Sequence, residues 1–354
     1  MDNDCSQDLQ QQMQAAYAQG TPLRIVGGNS KAFYGRTVLG DTLSISNHRG
    51  VISYEPTELV ITARAGTLLT DIEKVLDEQG QMLAFEPPGL GPNATLGGTI
   101  ACNLSGPRRA YAGAARDFLL GCKILNGKGE ILSFGGEVMK NVAGYDVSRL
   151  MAGALGTLGV LLEVSLKVLP KPEQESTLLF ACDTLQALQK MQAWATKPLP
   201  ISASCFYDSQ LLIRISGVEK AVTAATSRLG GEAKADGVQF WCDLKEQQLD
   251  FFTQQKPLWR LSLASDAPAL PLDGQWLHEW AGALRWLSSE TPANVIRSAV
   301  AALDGHASLY RQIKQHVDDI FHPLPPGLWR LHHNLKQAFD PKGILNPKKM
   351  YPDI

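Results

Sequence analysis

The 354-residue sequence lacks clustered cysteines: Cys5, Cys102, Cys122, Cys182, Cys205 and Cys242 are scattered along it. Neither a CxxC zinc spacing nor an iron-sulfur ligand run exists, so electrons passing through this chain would not rest on a cluster held by its own thiols. Spaced so widely, and with no basic and apolar leader in MDNDCSQDLQQQM, the cysteines read as reduced thiols of a cytoplasmic chain. No run of about 18 apolar residues is present, so nothing is expected to span a membrane, and any membrane contact is expected through partners. Charge of one sign is also missing. A net charge of −2 gives no basic field for nucleic acid. With 44% hydrophobic and 19% charged residues, disorder is excluded, and the length calls for at least two folding units.

What is abundant is glycine, 32 residues with 20 prolines. Residues 6 to 19 predict a helix with Ser6 as N-cap and Gly20 as its stop. LRIV (23 to 26), TLSIS (42 to 46) and LVITARA (59 to 65) predict strands, Thr67 to Gln79 a helix, and the alternation from Val160 to Val168 a strand closed by Pro170 and Pro172. Beyond that boundary the texture changes. Leu178 to Cys182, Ser202 to Tyr207, Leu211 to Ser216, Trp259 to Ala264, Gly282 to Leu287 and Ala307 to Arg311 predict strands; Leu185 to Trp194, Val218 to Leu229 and Pro292 to Leu303, with Thr291 as N-cap, predict helices. Leu328 to Phe339 predicts a last helix ending in Asp340-Pro341-Lys342-Gly343.

Three glycine-rich segments carry the chemistry, because close approach of backbone to a ligand requires residues without a Cβ. In the first, Arg24 to Lys31, consecutive backbone N–H groups can form a nest for a pyrophosphate, with Ser30 and Lys31 as further donors; a hairpin or a plain loop is the alternative. The second, Pro92 to Gly106, holds small residues suited to lying against a flat ring. The third, Gly153 to Val160, leads into the alternating strand. Familiar nucleotide motifs fail here. No GxGxxG opens a strand-to-helix turn and no GxxxxGK[ST] occurs, Gly127-Lys128 lying in a strand-to-strand turn.

Taken in order, Pro22 to Ser30, TLGGTIACNLSG (95 to 106), RDFLLGCKILNGKGEIL (116 to 132), KNVAGYDVSRL (140 to 150) and GTLGVLLEV (156 to 164) resemble the flavin-binding domain of the vanillyl-alcohol oxidase and PCMH-type flavoprotein superfamily. KNVAGYD followed by GTLGV, with FDPKGILNP (339 to 347), resembles the branch of glycolate and D-lactate dehydrogenases, and the whole chain is similar to the smaller FAD-binding subunits of bacterial glycolate oxidases. The resemblance implies an α+β fold: a two-subdomain PCMH-type FAD-binding domain over 1–172, a smaller ferredoxin-like α+β cap over 173–325, and a C-terminal helix and tail, 326–354, returning to the flavin domain. It implies non-covalent FAD, since no histidine lies in the first loop. The cofactor-binding residues it implies are Arg24, Val26, Gly27, Gly28, Asn29, Ser30 and Lys31 at the pyrophosphate; Pro92, Thr95, Gly97, Gly98, Thr99, Ala101, Asn103 and Gly106 along the flavin; Gly156, Thr157, Gly159, Val160 and Leu161 toward the adenine; and Asn346 at the flavin edge.

Two departures matter. Lys348 stands where the family usually has glycine, and the GHxGDGNxH stretch of catalytic relatives is reduced to Gly305-His306 within Ala302 to Arg311. A lone His306 cannot make a metal site, so no metal is expected. Oxidation of a 2-hydroxy acid needs a base and a carboxylate clamp, for which the candidates are His306 with Arg260, Arg285 or Arg311. Surface ion pairing is the alternative for each arginine. The expected function is the FAD-binding subunit of a multi-subunit glycolate dehydrogenase, an enzyme oxidising glycolate or a similar acid such as D-lactate by hydride transfer to FAD. Its expected partners are a larger homologous FAD subunit and an iron-sulfur subunit, at the inner face of the cell membrane through the complex. The alternative is an electron-relay or scaffold subunit without substrate chemistry. A stand-alone sugar-nucleotide oxidoreductase of the same fold fits KNVAGYD and FDPKGILNP less well.

Overall fold

The computed structural model describes residues 2–136, 146–312 and 319–354. Lys140 to Tyr145 of the KNVAGYD stretch lie outside them. The chain divides into two compact units: Met1–Leu104, Ala114–Pro170 and Pro323–Ile354 form the first, Ser105–Gly113 and Lys171–His322 the second.

In the first unit an antiparallel five-stranded sheet runs Val51–Glu55, Val60–Arg64, Val160–Lys167, Leu119–Leu125, Ile131–Gly135. Its central strand, Val160–Lys167, buries Val160, Leu162, Val164 and Leu166 completely on one face, the alternation expected from the sequence, and Leu161 and Ser165 are buried on the other. Beside the sheet a short parallel pair joins Leu23–Val26 to Asp41–Ser44. The C-terminal tail returns to this pair: Leu23 N donates to Ile344 O, and Asn346 N to Leu23 O. The return is anchored by a buried ion pair. Lys336, on the helix Pro326–Phe339, donates to Asp340 Oδ2, Leu345 O and Thr157 O, each at 2.8 Å. Asp340 Oδ1 and Oδ2 accept the Ile344 and Leu345 N–H groups. Burial lowers the Lys336 pKa while Asp340 opposes the shift.

The second unit is an antiparallel sheet of eight strands in the order Glu232–Ala233, Gln174–Ala181, Gln210–Gly217, Ile201–Tyr207, Gln275–Glu279, Leu284–Ser288, Leu258–Ser262, His306–Arg311. The helices Thr184–Ala195 and Glu219–Leu229 pack on it through Leu188, Met191, Val222 and Ala225, and Ala293–Ala301 through Ile296 and Val300. Both units together give the α+β architecture that the sequence resemblance implies.

Local differences from the sequence reading have local causes. Cys5 takes the N-cap of the first helix, Ser6–Gln19, because Asp4 Oδ1 captures the Ser6 N–H at 2.9 Å. Thr291 caps no helix: its hydroxyl meets Ser289 Oγ, and Pro292 takes the cap. The strands Val51–Glu55 and Gln275–Glu279 were not expected, since neither shows a clean apolar alternation.

His278, in the strand Gln275–Glu279, is buried between the rings of Phe206 and Trp276, each 5.8 Å away. Burial first, then the Arg285 charge, push its pKa down to about 3. It is therefore neutral in the fold, while the unfolded chain protonates it below about pH 6.5. Its contribution to stability is full above that pH and is lost as pH falls toward 3, with a slope of up to about 1.4 kcal/mol per pH unit. Every tryptophan but Trp329 lies in this unit, so urea unfolding followed by tryptophan fluorescence reports on it. The urea midpoint is expected to fall more steeply between pH 7 and 4.5 in the wild type than in His278→Phe; equal slopes would refute the assignment.

Candidate functional site

A cavity of about 300 Å³ opens in the first unit. One wall is the loop leaving Leu23–Val26, lined by Arg24, Val26 and then Gly27 to Lys31. Asn29 holds φ at 60°, which turns successive N–H groups toward one side. Among the described residues, the backbone N–H groups of Gly27, Gly28, Asn29 and Ser30 meet no acceptor. The loop can lie so close to Asn93–Thr95 only because it lacks side chains: a Cβ on Gly28 would stand 1.3 Å from Asn93 O, and one on Gly27 2.4 Å from Thr95 Oγ1.

The second wall is a short helix, Leu96–Cys102, a segment for which the sequence reading predicts no secondary structure. Thr95 starts it, Oγ1 accepting the Gly98 N–H at 3.2 Å. Gly97 lets the helix touch Ala65, where a Cβ would come within 2.7 Å of the alanine methyl. Thr95, Gly97, Gly98, Ala101 and Cys102 face the cavity. The third wall is Ala154–Gly156 with Gly159 and Leu161, and the fourth is the tail, through Asn346 and Lys349. Asn346 holds two walls together, its Oδ1 accepting the Ile25 N–H at 2.8 Å and its Nδ2 donating to Leu155 O at 2.7 Å.

Other expected contacts are placed elsewhere. Pro92 is exposed. Thr99 and Val160 are buried away from the cavity, Thr99 Oγ1 without a partner among the described residues. Thr157 is buried with its hydroxyl on Ala154 O, and Asn103 caps the helix with φ at 51°. Gly106 belongs to the second unit, where its carbonyl accepts the Trp280 indole N–H at 3.0 Å. Sequence reasoning missed Lys349 and the apolar lining by Tyr34, Val38, Ile45 and Met151.

The lining fits an anionic cofactor. Among the described residues it contains the cations Arg24, Lys31 and Lys349 and no carboxylate. Free backbone donors, three cations and an apolar remainder suit a diphosphate carried by an aromatic group.

His306, Arg260, Arg285 and Arg311, the residues considered for catalysis, all lie in the second unit. Arg285 is wholly buried, and its three nitrogens donate to Gly282 O at 3.0 Å, Pro268 O at 2.6 Å and Ala267 O. It ties down the turn at Trp280, Ala281 and Gly282, whose φ values of 54°, 55° and 90° are costly for the two residues with side chains. Arg311 donates to Phe252 O and Gln247 Oε1, at 2.8 and 2.9 Å. Arg260 rests on the rings of Trp280 and Trp286, with 5.2 and 6.0 Å to the ring centres. His306 is exposed at its strand start, its ring 6.4 Å from that of His322. Among the described residues no group of three or more His, Cys, Asp or Glu is arranged to hold a metal.

Comparison with known proteins agrees with the cavity. The model of an FAD binding domain matches residues 4–135, and that of the C-terminal domain of FAD-linked oxidases matches residues 322–350. The glycolate oxidase subunit GlcE of Escherichia coli (strain K12) is 50% identical over 351 residues, 99% of each chain. The glycolate oxidase subunit GlcD of Bacillus subtilis is 30% identical over 51% of this chain and 38% of that one, and a D-lactate dehydrogenase of Anaerostipes hadrus 32% over 42% and 30%. A solved structure of alkyldihydroxyacetonephosphate synthase shares the fold, with a TM-score of 0.66 at 15% identity over 97% of this chain and 74% of that one. Full-length kinship with GlcE, against partial matches to GlcD and to the D-lactate dehydrogenase, overturns the expectation that this chain is itself the enzyme transferring hydride from glycolate to FAD. It is an FAD-binding subunit rather than the catalytic oxidase, and it holds FAD without a covalent bond. The chain belongs to the GlcE family of glycolate oxidase subunits, within the PCMH-type FAD-binding proteins.

Proposed function

We propose that this chain is the FAD-containing electron-relay subunit of a glycolate-oxidase-type complex, with the substrate chemistry carried by a larger homologous flavin subunit. The observation that carries this reading is the full-length 50% identity to a glycolate oxidase subunit. The side chains of the second unit agree with it. Arg285 is bound to three backbone carbonyls, and Arg311 to a carbonyl and an amide. Bound FAD supplies a centre that takes up and gives back electrons. The protein's part is to hold it through the loop Arg24–Lys31, the helix Leu96–Cys102 and Ala154–Gly156 with Gly159 and Leu161, Asn346 bracing the walls.

With no cysteine cluster in the sequence, the electrons leave for an acceptor outside this chain, and an iron-sulfur subunit fits that role. No helix among the described residues is long and apolar enough to cross a membrane, which agrees with a cytoplasmic complex reaching the inner face of the membrane through its partners. Co-expression of this chain with a GlcD-type flavin subunit and an iron-sulfur subunit, followed by purification through a tag on this chain alone, is expected to retain both partners. Recovery of the tagged chain by itself would sink the assembly.

A further inference from the structure

The tail that follows the last helix is part of the cofactor site rather than a trailing end. Between Ile344 and Lys349 it pairs with Leu23, bonds Ile25 and Leu155 through Asn346, and accepts the Arg36 N–H at Lys349 O. Lys349 lines the same cavity as Gly27 to Ser30, whose backbone N–H groups meet no acceptor among the described residues. Lys349 is half-buried, and among the described residues its ammonium makes one hydrogen bond, a long one of 3.4 Å to Ala32 O. Among the described residues no carboxylate lines the cavity. A cation withdrawn from water with so little compensation is costly unless an anion arrives to meet it.

We propose that Lys349 is a cation supplied by the C-terminal strap to the FAD diphosphate, so that docking of residues 344–349 and binding of FAD stabilise each other. The inference rests on the chain's binding FAD. Burial lowers the Lys349 pKa, as expected of a cation withdrawn from water, and Cys102 opposes the shift. Linkage requires the coupling to act both ways: whatever the docked strap adds to FAD affinity, FAD returns to the docked strap.

Full-length wild type, Lys349→Met, Lys349→Arg and, as a control, Lys348→Met are stripped of FAD and titrated with FAD by flavin fluorescence. Lys348 is an exposed neighbour on the same strap that does not line the cavity, so its variant changes charge equally. Loss of one charge-assisted contact predicts about 10- to 100-fold weaker binding in Lys349→Met, recovery of most of it in Lys349→Arg, and less than about 3-fold change in Lys348→Met. Hydrogen exchange at the amides of Asn346 and Lys349 is expected to slow at least about tenfold when FAD is added to the wild type, and less in Lys349→Met. Without FAD, Lys349→Met should be at least as thermostable as the wild type, since it removes an uncompensated cation; a purely structural lysine would give the opposite. Equal affinities for Lys349→Met and Lys348→Met, a less stable Lys349→Met apoprotein, or strap exchange indifferent to FAD would each overturn the proposal. Failure of the wild type to bind FAD would instead refute the cofactor.

Discussion

Gly28→Ala is expected to fold and to purify without its yellow colour. A methyl group at position 28 would sit 1.3 Å from Asn93 O and 2.4 Å from the carbonyl carbon. These are backbone atoms, so no rotamer change relieves the clash, and the loop Gly27–Lys31 must part from Asn93–Thr95. Overpacking of this kind costs about 1–3 kcal/mol of stability, which a unit of this size survives. The cofactor does not survive it, because both parted segments line the cavity and the unpaired N–H groups of Gly27 to Ser30 lose their common direction. FAD affinity should fall at least about 100-fold, equivalent to about 2.7 kcal/mol. Flavin absorbance per protein on purification, followed by FAD titration of the stripped protein, measures this. Gly327→Ala, at a helical position where an added Cβ meets nothing within 4 Å, should leave both unchanged. Undiminished flavin content in Gly28→Ala would refute the placement of the loop.

Lys336→Met should cause the largest loss of stability. It strands the wholly buried Asp340 carboxylate with two backbone N–H groups and leaves Thr157 O and Leu345 O without their donor. Breaking a buried pair from one side costs about 3–5 kcal/mol, which for a unit of this size lowers the unfolding midpoint on the order of 10 °C. The double variant Lys336→Met/Asp340→Leu removes both charges and should recover part of that loss, so the two effects fall short of additivity by about 1–3 kcal/mol. Differential scanning calorimetry of the single and double variants checks this. Strict additivity would mean that the two side chains act independently.

These residues also show where the sequence was legible. The three glycine segments could be read because glycine is demanded by close backbone approach, and Gly27, Gly28 and Gly97 do stand where a Cβ would collide. The stretch Val160–Lys167 could be read as a strand because Leu162, Val164 and Leu166 alternate with Glu163, Ser165 and Lys167, the period of two that one buried sheet face imposes. Lys349 could not. The sequence brought Asn346 to the cofactor but gave no sign that the chain three residues on still faces it, and the position of Lys349 depends on Asn346 fastening the tail to residues more than 190 positions away. Arg285 misled for a related reason. A guanidinium suits a carboxylate and three carbonyl oxygens equally well, and only the turn at Ala267–Pro268 and Gly282 decides between them. The helix Leu96–Cys102 was hidden by its own small residues, which weaken the apolar periodicity by which helices are recognised.

The central claim is that FAD in this chain exchanges electrons with partners and not with a hydroxy acid. Its most direct test is anaerobic addition of glycolate to the isolated FAD-loaded chain, with flavin absorbance followed over time, and then the same addition after the homologous flavin subunit and the iron-sulfur subunit have been supplied. The account predicts no bleaching in the isolated chain and bleaching once the partners are present. Bleaching of the isolated chain by glycolate alone would contradict it.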